Sequence, residues 1–156
     1  MGTSTRFRSR MIQVSVLAAV GVLALAGPAL GANQVKGAKY SGKINANGGL
    51  AISFKVSSTG KNVLALKAPQ PPLFCSGGGP PPPQKKAKPA PISPAGTFKG
   101  TIQYVASSGP NAGQVIASMK VTGTFHAHHK ESGKVTITWS GGSQCNGSAA
   151  YSTKTV

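Results

Sequence analysis

His126 and His128 stand two residues apart, with His129, Lys130 and Glu131 directly after them; Cys145 follows, and the other thiol, Cys75, lies far upstream. These are the side chains whose types could do chemistry. On a strand, positions i and i+2 project to one face, which is how a strand offers two imidazole nitrogens to one metal ion. Here that geometry would use His126 and His128, opposite Phe125. The competing reading is a solvated polar face, with His129, Lys130 and Glu131 at a hairpin tip. After Glu131 the only metal-ligating side chain is Cys145, so a metal set built on this pair is short of partners. The disulfide reading needs only Cys75 and Cys145.

Most enzyme mechanisms are pruned by residues the chain lacks. Glycoside hydrolysis generally takes two carboxylates, and Glu131 is the only acidic residue in the sequence. A Ser-His-Asp triad has no Asp to draw on. No glycine-rich loop leads into a helix and no phosphate-binding loop is present. The expectation is a non-enzymatic protein without a cofactor.

Charge points to partners instead. The 156 residues carry 17 Lys+Arg against that single acid, a formal charge of +16. Residues 1–10 hold Arg6, Arg8 and Arg10, residues 11–26 are apolar apart from Gln13 and Ser15, and Ala29-Leu30-Gly31 precedes Ala32. A basic start, an apolar run and small residues at the exit predict a secretory signal over 1–31. The apolar run is short for a membrane span, which needs about 20 residues, so membrane contact is expected only before cleavage. Loss of the leader would leave fourteen lysines against Glu131. Such a balance favours polyanionic neighbours. Arginine, the best reader of bases, leaves with the leader, and the aromatic residues fall on apolar phases, so sequence-specific nucleic-acid binding is not expected.

The elements that must position these residues read as strands. Tyr40, Gly42, Ile44 and Ala46 alternate with polar residues, Asn47-Gly48-Gly49 turns the chain, and Leu50, Ile52, Phe54 and Val56 alternate again. Residues 63–66 are apolar on both faces and predict a central strand. Phe98, Gly100, Ile102 and Tyr104 share a face, as do Ala117, Met119, Val121, Gly123 and Phe125, and then Val135, Ile137 and Trp139. Ser132-Gly133 reads as the turn between the last two of these. Seven or so short strands, preceded by a signal-peptide helix, predict an all-β antiparallel sandwich or barrel over 32–156. Lys43, Lys55, Lys99 and Lys120 fall on the polar phases of their strands and are the candidate polyanion-binding residues.

Ten of the twelve prolines lie in 69–94. Proline fixes φ and lacks an amide donor, so 69–95 reads as an extended Pro/Lys-rich insertion, a spacer more readily than a ligand for an aromatic groove. In an exported chain, Cys75 and Cys145 are expected to pair. The bridge would close about 70 residues, worth roughly 4 kcal/mol in the chain-entropy model.

Two resemblances attach to these residues. Gly123…His126-Ala127-His128…Glu131…Gly133 resembles the first motif of cupins, but its second histidine stands too close to the glutamate and no later histidine completes the set. Tyr40-Ser41-Gly42-Lys43, Ile52-Ser53-Phe54-Lys55-Val56, Phe74-Cys75-Ser76-Gly77-Gly78, Gly96-Thr97-Phe98, Gly123-Thr124-Phe125 and Cys145-Asn146-Gly147 together resemble a group of small exported bacterial proteins. That resemblance implies a signal peptide ahead of a one-disulfide β domain, and bears on architecture and export only. The expectation is a secreted or envelope-associated basic β domain that binds anionic wall or matrix polymers electrostatically. The alternative is a metal-binding protein, or metal-dependent enzyme, built on His126 and His128.

Overall fold

A computed structural model describes residues 33–71, 81–140 and 145–156; the proposed signal segment and residues 72–80 of the expected insertion, Cys75 among them, lie outside them. The described residues are all-β. The strands are β1 (Lys39–Ile44), β2 (Leu50–Val56), β3 (Asn62–Lys67), β4 (Ala90–Pro91), β5 (Thr97–Val105), β6 (Val115–His126), β7 (Lys130–Trp139) and β8 (Gly147–Thr155). All pairings between them are antiparallel, in the order β4-β3-β2-β1-β8-β7-β6-β5. An antiparallel bridge between Ile92 and Phe98 brings the two ends of this sheet together. Each strand therefore neighbours its successor and β8 returns to β1, an up-and-down meander bent into a nearly closed barrel. Full closure removes the unpaired edges that invite aggregation.

Alternation decides what faces inward. Tyr40, Ile44, Ile52, Phe54, Val56, Phe98, Ile102, Tyr104, Met119, Val121, Phe125, Val135, Ile137 and Tyr151 are all buried on the predicted phases. An eight-stranded barrel has an interior just wide enough for side chains to fill. At one end that filling is aromatic. Tyr40 stacks on Phe54 at 5.1 Å between centroids, and Phe125 stands edge-on to Tyr40 at 5.3 Å. Phe98 closes the group at 5.4 Å from Phe54 and 5.7 Å from Phe125.

The strand count is eight rather than seven, and the extra strand, β4, falls in the proline-rich stretch. That stretch closes the barrel. Between β3 and β5 the ladder is replaced by residues 83–85: Val105 N donates to Pro83 O, and Lys85 N to Gln103 O. On the other side the Gln84 amide stands in for a strand, accepting from Ala68 N at 3.0 Å and donating to Leu66 O at 2.8 Å. Tyr104 Oη adds a bond to Ala68 O across the same seam. Proline lacks an amide donor, so the seam draws on the Pro83 carbonyl and on a glutamine side chain.

Two expectations are corrected. The 63–66 run is not buried on both faces: β3 pairs with β2 on one side and two-residue β4 on the other, but Ala65, at φ 50°, is exposed and breaks the alternation so that Val63 and Leu66 both turn inward. The β6–β7 turn is not at Ser132-Gly133 but at Ala127-His128-His129, with His128 and His129 in the left-handed region. Gly133 instead pairs with Gly123 inside the ladder.

Candidate functional site

That turn decides the fate of the histidine pair. His126 ends β6, whereas His128 sits in the turn at φ 61°, so the two do not share a strand face as expected. His126 is exposed and its Nε2 lies 2.8 Å from Ser132 Oγ. Among the described residues no three His, Cys, Asp or Glu side chains converge on a point.

Glu131 is also re-placed. It is the second residue of β7, on the same phase as Gly133, Val135 and Ile137, and so points into the barrel with 1% of its surface exposed. Tyr151 Oη donates to one carboxyl oxygen at 2.6 Å and Thr153 Oγ1 to the other at 2.7 Å. Thr153 lies directly opposite it in the β7–β8 register. Burial pushes the Glu131 carboxyl up to about 7, because the interior penalises the charged form by more than the two hydroxyl bonds repay. Tyr151 is pushed well above the ordinary phenol range, by burial first and then by the neighbouring carboxylate. Tyr40 is raised by burial and by the Glu131 charge, against a bond from the Val35 amide. Gly123 completes the fit: a Cβ there would overlap Glu131 Oε1, the Phe98 ring and Tyr151 Oη. The carboxyl is thus held on both oxygens by hydroxyls of β8.

The exterior is the opposite. All fourteen lysines are exposed, and the one acidic side chain of the chain is inside. Lys43, Lys55, Lys99 and Lys120 point outward from β1, β2, β5 and β6 but do not form one cluster. Lys55 faces Lys39 across β1 and β2, while Lys99 and Lys120 each lie opposite threonines across β5 and β6. Lys43 shares its surface with Lys130 and Lys154, around a depression in the outer face of β1, β8 and β7. Those last two were missed because the misplaced turn left Lys130 in a loop. Their shared polar phase, once β7 starts at Lys130, is the signal that finds them.

Cys145 lies just ahead of β8, and its expected partner Cys75 lies outside the described residues, so the bridge does too. Comparison with protein-family models, curated proteins and solved structures finds no match to this chain.

Proposed function

We propose that this is an exported, non-enzymatic β-barrel protein that associates electrostatically with anionic polymers of the cell surface or matrix. One observation carries the reading: every lysine faces solvent while the sole acidic side chain is sequestered in the core. Surface carboxylates normally break up a cationic field and pair with its lysines. Without them the potential keeps one sign around the barrel, which raises the local concentration of anionic partners and speeds their capture. The attraction is shared, so no single lysine is indispensable. Lysine heads, as mobile point charges, suit a flexible polymer better than a fixed planar partner.

Export belongs to the same proposal and rests on the 1–31 sequence pattern. So does a Cys75–Cys145 bridge, which would tie the proline-rich segment to the approach to β8. Cell fractionation tests the whole. The protein should appear in the wall or matrix fraction at low ionic strength, elute with rising salt and ignore chelators. Absence from that fraction at low salt contradicts the reading, and release by chelator alone favours a metal-dependent one.

A further inference from the structure

The geometry points to a discrete site for a phosphoryl group on the outer face of β1, β8, β7 and β6, an inference that rests on the polyanion reading and narrows it. The strand registers align Ser41, Lys154, Lys130 and His126 in one row across the four strands. Two residues along each strand, and so on the same face, Lys43, Ser152, Ser132 and Thr124 form the next row. Most of these side chains line an open depression of about 700 Å³.

Lys130 and Lys154 are directly opposed, an arrangement that is destabilising for like charges. No acidic side chain is available outside the barrel to separate them. Lys43 adds a third ammonium at the edge of the same depression. Ser132 is held by His126 at 2.8 Å, and the serine hydroxyls beside the lysines can rotate to donate. A ligand that satisfies this face needs more than one negative charge and several acceptor oxygens. A phosphoryl group brings a charge of about −1.5 to −2 and three strong acceptors. A carboxylate brings one charge and two oxygens, enough for one lysine rather than three. The other directly opposed pair, Lys39 and Lys55, has no imidazole on its row and supplies the control.

The test is an amide-resolved titration of the ¹⁵N-labelled protein with inorganic phosphate, with acetate as comparison at constant ionic strength. Saturable phosphate shifts centred on Ser132, Ser152 and Lys154 are expected, with acetate at least tenfold weaker. K43S/K130S/K154S should weaken phosphate at least tenfold, and K39S/K55S/K61S should leave it within twofold. Shifts spread evenly over the exterior, equal losses in the two triple variants, or acetate binding as well as phosphate would each overturn the site. Retention of the unaltered protein on long-chain polyphosphate and on polyglutamate, measured in parallel, separates the two levels. Retention with indistinguishable triple variants removes only this site, and no retention on either polymer removes the polyanion reading as well.

Discussion

Tyr151 donates a 2.6 Å hydrogen bond to Glu131 inside the barrel, so the only acidic residue of a strongly basic chain is spent on its core. Thr153 binds the second carboxyl oxygen. Among the described residues these two hydroxyls are its hydrogen-bond partners, and Phe125 lies directly opposite it in the β6–β7 register.

The first prediction concerns pH. Glu131 is an acid whose folded value, about 7, lies above its ordinary 4.5. Its protonated form is favoured in the folded state, so its contribution is fully present below pH 4.5. It declines as pH rises from 4.5 through 7 and is gone above that. The span corresponds to about 3 kcal/mol. Urea unfolding at pH 5 and pH 8 should show the protein more stable in acid, and E131Q should flatten the difference. An unaltered pH dependence in E131Q would remove Glu131 as its source.

A second prediction follows from Gly123. The space above it belongs to Glu131, Phe98 and Tyr151. G123A should destabilise by about 3 kcal/mol through overpacking, read by denaturant midpoint. A loss under about 1 kcal/mol would show that these three side chains repack freely.

Strand phase was legible in the sequence because it depends only on which residues alternate, and the core residues of β1, β2, β5, β6, β7 and β8 follow it, whereas β3, broken at Ala65, does not. Turn placement was less so. Ser132-Gly133 has turn chemistry, yet Gly133 is needed in the ladder opposite Gly123, and two histidines take the left-handed turn positions that glycine or asparagine usually fills. Moving the turn by a few residues carried Glu131 from surface to core and brought Lys130 opposite Lys154. Barrel closure was hidden for another reason. Pro83-Gln84-Lys85 has no strand pattern, and its pairing uses a side-chain amide that no periodicity reports.

That seam gives a third prediction. Q84A removes the bonds from Gln84 to Leu66 of β3 and to Ala68 just after it, and leaves Ala68 N and Leu66 O without that partner. The expected cost is about 1–3 kcal/mol. Hydrogen exchange should quicken at Ala68 and Val105 before the β7–β8 amides respond. Uniform quickening would mean that the seam opens only with the whole barrel.

A fourth prediction concerns the proposed bridge. Intact-mass measurement with and without reductant should show a two-proton difference. Reduction should lower stability by roughly 4 kcal/mol or less. Free thiols in the protein recovered from outside the cell would exclude the bridge.

The central claim is that an unbroken cationic exterior drives binding to anionic polymers. The most direct measurement is affinity for long-chain polyphosphate as a function of salt, plotted as logarithm against logarithm. Counterion release predicts a linear fall whose slope counts the phosphates neutralised. Here the slope should correspond to several lysines and shrink by about one for each lysine removed from the contacting face. Affinity independent of salt, or no binding at low ionic strength, would contradict the account.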